Sequence, residues 1–195
     1  MKMLLKIYLA SSFISAVSSL MCHSCSEKNS DTCTGREVHC KSSTGSCISS
    51  QTVLTYGNSI IKLPQKSCGF PKVCNLTYSV TVEDVQISVA ARCCKTDNCN
   101  VDTPQVAPRN MTTNGLECPS CFEKGLNGCI AQKKSLCTGM ETKCIKFSGY
   151  LGIEGDPVAA SYQGCATPSS CLPSPRASTN RPKGSRLSCT EAEVH

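Results

Sequence analysis

Cys22-His23-Ser24-Cys25 and, 96 positions later, Cys118-Pro119-Ser120-Cys121 open two runs of cysteine whose spacing decides how this chain folds. In the first run Cys22, Cys25, Cys33, Cys40, Cys47, Cys68, Cys74 and Cys93 are separated by 2, 7, 6, 6, 20, 5 and 18 residues. In the second, Cys118, Cys121, Cys129, Cys137, Cys144, Cys165, Cys171 and Cys189 are separated by 2, 7, 7, 6, 20, 5 and 17. Seven intervals agree to within one residue, so the chain holds two copies of one unit. Cys94 and Cys99 complete the eighteen cysteines, an even number that permits full pairing.

Outward from these runs, the first residues read as a secretory leader. Lys2 and Lys6 supply positive charge, an apolar stretch runs from Ile7 to Val17, and Ser18 and Ser19 follow. The expected division is therefore a signal peptide over 1–19, a first unit over 20–100, a linker over 101–114 and a second unit over 115–195. A secretory route explains the cysteines, because disulfides persist only in an oxidising compartment. With no Trp, four Phe and five Tyr, neither unit has much apolar bulk for a core, and domains below about 80 residues then need covalent staples. Loss of the leader removes two of 20 basic residues and none of 14 acids, leaving a net charge of +4, too mild to imply a nucleic-acid partner. No later stretch approaches the roughly 20 apolar residues of a membrane helix. The Arg-, Ser- and Pro-rich residues after Ser174 are not the apolar tail of a lipid-anchor signal, so no membrane anchor is expected.

The long cysteine intervals read as hairpins. Ile48 to Lys66 alternates around Val53, Leu54, Ile60, Ile61 and Leu63 with a turn at Tyr56-Gly57-Asn58-Ser59. Thr77 to Arg92 carries Val80, Val82, Val85, Ile87 and Val89 around a Glu83-Asp84 turn. In the second unit, Ile145–Tyr150 and Val158–Gln163 flank a turn through Gly152 to Pro157. Pro104, Pro108 and the Asn114-Gly115 step suit an extended linker.

The Cys22-x-x-Cys25 opening and the ending Cys93-Cys94 with Cys99-Asn100 resemble the urokinase-receptor and lymphocyte-antigen-six group of three-finger domains. The resemblance implies an all-β, small, disulfide-rich fold of two tandem three-finger (snake-toxin-like) domains. It implies the pairs Cys22 with Cys47, Cys25 with Cys33, Cys40 with Cys68, Cys74 with Cys93, and Cys94 with Cys99. In the second unit it implies Cys118 with Cys144, Cys121 with Cys129, Cys137 with Cys165, and Cys171 with Cys189. It also implies that Asn100 is buried and closes the first domain by hydrogen bonds to backbone near the first strand. The second unit has no counterpart of Cys94, Cys99 or Asn100, and the polar, proline-bearing residues from Leu172 read poorly as a strand pair. Either its third finger is loose or the tail is a variant end, which leaves the Cys171–Cys189 bridge open.

The stretch Asn114-Gly115-Leu116-Glu117-Cys118-Pro119-Ser120-Cys121-Phe122 looks like the opening of the second domain in gamma-type phospholipase A2 inhibitors. That resemblance implies a secreted, extracellular inhibitor of secretory phospholipase A2, often built as a homo- or hetero-oligomer. The alternative is a soluble receptor-like or decoy protein of the same fold that binds another extracellular protein.

Chemistry-bearing patterns are weak. Cys-x-x-Cys pairs occur in zinc and redox sites, but a zinc site has no need of the partner cysteines that this chain repeats at 20-residue range in both copies. His23, His39 and His195 lie in no nucleophile-base arrangement, so no catalytic residue, metal or cofactor is expected. Glu83 and Asp84 suit a turn, as do Gly149, Gly152 and Gly155, which no Lys-Ser or Lys-Thr follows. Asn75-Leu76-Thr77 and Asn110-Met111-Thr112 are glycosylation sequons. Lys124, Lys133, Lys134, Lys143 and Lys146 read as a solvated basic face. Tyr56, with Tyr150, Leu151 and Ile153, sits at central hairpin tips and is the candidate partner-binding set, since rigidly presented apolar groups lose little entropy on binding.

Overall fold

The computed structural model describes residues 19–41, 45–69, 74–151, 158–172 and 185–195. The expected leader up to Ser18, the Gly152–Pro157 turn and residues 173–184 of the proline-bearing tail lie outside these residues. The first unit contributes β1 (Met21–Ser26), β2 (Arg36–His39), β3 (Ser46–Tyr56), β4 (Ser59–Gly69), β5 (Leu76–Val82) and β6 (Val85–Cys94). The second contributes β7 (Thr113–Lys124), β8 (Lys133–Thr138), β9 (Lys143–Leu151), β10 (Val158–Ala166), β11 (Arg186–Glu191) and the short β12 (Glu193–Val194). A single 3-10 turn, Pro168–Cys171, is the only helical element among the described residues.

Each unit is three antiparallel fingers. β3 and β4 pair along their whole length from Ser46↔Gly69 to Tyr56↔Ser59, and β5 and β6 from Leu76↔Ala91 to Val82↔Val85. Both turns have two residues, and each places one of them in the left-handed region, Gly57 at φ 55° and Glu83 at φ 51°. The short strands of the first fingers, β1 with β2 and β7 with β8, carry no apolar alternation that would announce them in the sequence. They follow from disulfides that hold them beside the longer hairpins.

All eighteen cysteines are bonded. The first unit has Cys22–Cys47, Cys25–Cys33, Cys40–Cys68, Cys74–Cys93 and Cys94–Cys99. The second has Cys118–Cys144, Cys121–Cys129, Cys137–Cys165 and Cys171–Cys189. Cys22, Cys40 and Cys47 form one buried cluster at the base of the first unit's fingers, and Cys118, Cys137 and Cys165 form its counterpart. Sequence separations of 25 and 28 residues close loops whose removal from the unfolded ensemble is worth roughly 3–4 kcal/mol each on the chain-entropy account, and these overlap rather than add.

In the second unit the return arm of the third finger is a strand, while residues 173–184 of the stretch that reads poorly as a strand pair lie outside the described residues. β11 runs along β9 from Arg186↔Ser148 to Glu191↔Lys143. The outer edge of β9 offers unpaired backbone groups there, and the Cys171–Cys189 bridge pins the returning chain against it.

The units close differently. In the first, Asn100 is 3% exposed; its Oδ1 accepts from His23 N–H at 2.9 Å, and its Nδ2 donates to the carbonyls of His23 (2.9 Å) and Ile48 (3.1 Å). In the second, main chain does the work: β12 pairs Val194 with Leu116 and Glu193 with Glu117, and His195 N–H donates to Gly115 O at 2.9 Å.

The two units are joined in one sheet. Its path runs β11-β9-β10-β5-β6-β3-β4-β1-β2, because β10 divides its edge. Ala160–Gln163 pair with β7 of their own unit, whereas Cys165 and Ala166 pair with Thr81 and Val80 of β5. Val80, Val82, Ile145 and Ala166 are buried together at this seam, so the largest aliphatic cluster among the described residues belongs to both units. Gly164 makes the approach possible, since a Cβ there would stand 2.0 Å from the Thr81 carbonyl oxygen.

Two substitutions test these closures. Asn100→Asp removes both donors and turns an anionic oxygen toward two carbonyls, an expected loss of about 1–3 kcal/mol in denaturant unfolding. Gly164→Val is expected to push β10 off β5 at a cost of about 1–3 kcal/mol and to split one calorimetric transition into two, with every disulfide intact by mass.

Candidate functional site

Register assigns the two faces of the joined sheet different characters. Leu54, Ile61, Ile87, Val80 and Ala166 lie in one row on one face, and Val53, Lys62, Ser88 and Ser79 on the other. The linker crosses the more polar face. Lys66, buried, donates its amine to the carbonyls of Cys33 (2.9 Å) and Val101 (2.5 Å), and Ser49 Oγ donates to Asp102 O at 2.6 Å, so the linker is tied down from its first residues. β7 begins at Thr113, within the segment read as linker.

Between this face, the linker and β8 lies an open groove of about 1180 Å³. Gln51, Thr55 and Gln86 lie along its floor, Val106 and Met111 of the linker form one wall, and Leu136 of β8 the other. The rim is apolar and wet: Tyr56 is 62% exposed and Ile60 61%, and Met111 and Leu136 are also exposed. The Gln51 side chain is buried with its Oε1 unpartnered, leaving an unused acceptor at the floor.

The charges around the groove are mostly matched. Lys62 reaches Asp31 at 2.5 Å, Lys133 reaches Glu83 at 3.9 Å, and Lys134 contacts Glu117 (2.6 Å) and Glu193 (2.9 Å). Lys143 pairs with Glu191. The basic face expected in the second unit is therefore largely neutralised by its own acids, leaving Lys124 and Lys146 exposed on other strands. Asp84 at the β5–β6 tip is exposed beside Tyr56 in the groove and has no ion pair among the described residues.

Of the four tip residues, Tyr56 alone is in the groove. Tyr150 lies half-buried on β9 opposite Ala159, away from it. The side chains of Leu151 and Ile153 lie outside the described residues. β9 and β10 are taken up by β11, β7 and β5, and the second unit turns its first finger, β8, toward the groove. Ile60, Met111, Leu136 and Asp84 were missed. Ile60 stands four positions beyond Tyr56 across the same turn, which is a local signal, whereas Met111 and Leu136 reach the groove only through tertiary folding.

Asn75 and Asn110 are both exposed. Asn75 is at φ 56°, and Asn110 Oδ1 accepts from Thr112 N–H at 3.0 Å in a tight local turn. The sulfurs of Cys22, Cys40 and Cys68, and of Cys118, Cys137 and Cys165, lie within 4.8 Å of one another, but as disulfides they offer no thiolate to a metal. His195 Nδ1 is 2.9 Å from Glu117 Oε2.

Hairpin fingers fanning from a disulfide cluster, present twice and joined edge to edge, define a three-finger protein. The chain belongs to the u-PAR/Ly-6 family: the u-PAR/Ly-6 domain matches residues 18–102 and 114–193. It is 31% identical over 162 residues to "Phospholipase A2 inhibitor NAI" of Notechis ater, covering 77% of each chain. It is 32% identical to a gamma-type phospholipase A2 inhibitor chain of Laticauda semifasciata, covering 71% of this chain and 81% of that one. A shorter match, 33% over 82 residues, covers 41% of this chain and 24% of "Urokinase plasminogen activator surface receptor" of Bos taurus. Among solved structures it is similar to mouse TEX101 at 14% identity and a TM-score of 0.40, covering 89% of this chain and 99% of that one.

The β12 closure carries a pH dependence. Hydrogen bonds from Lys134 and His195 hold the Glu117 carboxyl below its ordinary value of 4.5, and hydrogen bonds from Glu117 and Glu193 push the Lys134 amine up. A depressed carboxylate stabilises the folded state above its ordinary value, and that contribution is lost as pH falls through the folded value. Acidification below 4.5 is expected to loosen β12 from β7 while β9–β10 pairing persists. Amide exchange at Glu193–His195, corrected for intrinsic rates, measures this, and Lys134→Ala is expected to flatten the dependence.

Proposed function

We propose that this chain is a secreted, non-enzymatic binding protein that captures a secretory phospholipase A2 in the groove between its two units. The observation that carries the reading is the groove itself, with Tyr56 and Ile60 exposed on a disulfide-braced hairpin beside Met111 and Leu136. Such a surface loses little conformational entropy on contact, so its apolar area converts efficiently into affinity. The inhibitor names of the relatives from Notechis ater and Laticauda semifasciata support the choice of target. Inhibition then comes from covering the enzyme's lipid-facing surface or the mouth of its active site, and no residue of this chain performs chemistry.

On this reading residues 1–19 are a cleaved leader, 20–100 and 115–195 are the two domains, and 101–114 is the linker. No helix among the described residues is long and apolar enough to cross a membrane. Glycans at Asn75 and Asn110 suit exposed sequons. The match to a urokinase receptor favours a second reading, a soluble receptor-like or decoy protein for another extracellular ligand.

Binding and inhibition assays with a panel of secretory phospholipases A2 at micromolar protein separate the two. Capture of one member is expected, with Tyr56→Ala and Ile60→Ala each weakening it about tenfold or more and Tyr150→Ala staying within about twofold. Asp84→Asn is expected to reduce the salt dependence of association if the partner brings a cation to that tip. No binding across the panel would remove phospholipase A2 as the partner and leave the second reading.

A further inference from the structure

One carboxylate collects hydrogen bonds from all three parts of the chain. Glu141, in the turn between β8 and β9, is 0% exposed. Its Oε1 accepts from Ser79 Oγ of the first unit (3.1 Å) and from Arg109 Nη2 of the linker (2.5 Å). Its Oε2 accepts from Thr81 Oγ1 of the first unit (2.8 Å) and from Thr138 N–H (3.2 Å) and Oγ1 (3.3 Å) of its own unit. Arg109, 13% exposed in its side chain, also donates to Thr138 Oγ1 at 3.0 Å and to Thr81 Oγ1. The turn that carries Glu141 is itself held: Asn114 Nδ2 donates to Gly139 O (3.1 Å) and Glu141 O (3.0 Å).

An ion pair this deeply buried contributes little net stability, because desolvation of both charges offsets their attraction. Its effect is on geometry. A carboxylate with five donors fixed around it accepts one arrangement of those donors, and here they come from β5, the linker and the end of β8. The pair lies on the linker side of the seam, on the face opposite the Val80 and Ile145 cluster, so hydrogen bonds clamp one face of the joint and aliphatic packing the other. Arg109 and Thr138 also line the groove, so the angle this joint sets is the angle between its walls.

We propose that Arg109 and Glu141 are positioning residues that latch the linker and lock the two units at a fixed angle, so that the groove exists before any partner arrives. The latch does not depend on the identity of the groove's occupant, and a failure to bind phospholipase A2 would leave it untouched.

Trypsin reads it directly, because the scissile bond after Arg109 is guarded by the same side chain that forms the latch. In the full-length secreted chain carrying Thr112→Ala, which removes the Asn110 sequon so that no glycan shields the bond, and used as the background for every variant below, that bond is expected to resist cleavage. Glu141→Gln and the milder Thr81→Val are expected to raise its cleavage rate about tenfold or more, since proteolysis follows the population of the open form. Fragment masses after reduction assign the cut, and small-angle scattering is expected to show a broader distribution of interdomain distances in the same variants. Asn100→Asp, which weakens the first unit away from the latch, is expected to leave the Arg109 bond protected. Wild-type cleavage and scattering in both latch variants would overturn the proposal, as would equal acceleration by Asn100→Asp. If Glu141→Gln is not secreted, Thr81→Val decides alone.

Discussion

Covalent cross-linking is the constraint on which everything else in this molecule depends. Each unit has a buried cluster composed almost wholly of cysteine, with Leu20 or Leu116 packed at its side. A chain with no Trp and few other aromatics cannot order long hairpins by burial alone, since fixing a residue's backbone costs about 1–2 kcal/mol. Disulfides act on the other side of the balance by shrinking the unfolded ensemble. They leave the fingers free to present their side chains to solvent, which is why Tyr56 and Ile60 stand exposed on a hairpin that is nonetheless held rigid.

Cross-links alone make two separate units, and the seam makes them one. Only Cys165 and Ala166 of β10 pair with β5, yet the contact gathers Val80, Val82, Ile145 and Ala166, with Tyr78, Tyr162 and Leu187 packed against them. Phe147 stacks on Tyr162 with ring centroids 4.9 Å apart, and burial pushes the Tyr162 hydroxyl up. The apolar bulk that neither unit has for a core of its own is concentrated where they meet. The polar side of the seam carries the Arg109–Glu141 pair, and the groove opens beside it. Rigidity, the joint between the units and the groove beside it are consecutive consequences of one shortage of apolar residues.

The asymmetry of the two endings follows from the sequence, since the second unit has no counterpart of Cys94, Cys99 and Asn100. The first unit closes with a side chain, Asn100, bridging β1 and β3 through three hydrogen bonds. The second closes with a strand, β12, laid along β7 and braced by Lys134 between Glu117 and Glu193. The Asn100 amide does not titrate, whereas the second closure is braced by the carboxylates of Glu117 and Glu193 and loosens in acid.

What the sequence determined by itself was whatever is encoded locally or by counting. The repeat was in the cysteine intervals, the central and third fingers were in the alternation around Val53, Leu54, Val80 and Val89, and the turns were in Gly57 and Glu83-Asp84. The pairing of the cysteines came from family resemblance, because spacing cannot choose among pairings. Tertiary structure decided the rest. Nothing at Gly164 announces a carbonyl 2.0 Å from its missing Cβ, and nothing around Glu141 announces a partner 32 positions earlier in the linker. The removal of Tyr150 from the groove, and the entry of Leu136, follow from β10 pairing with β5. Such edge pairing is set by backbone groups that every residue carries, and a pattern of side chains does not record which of several free edges will meet.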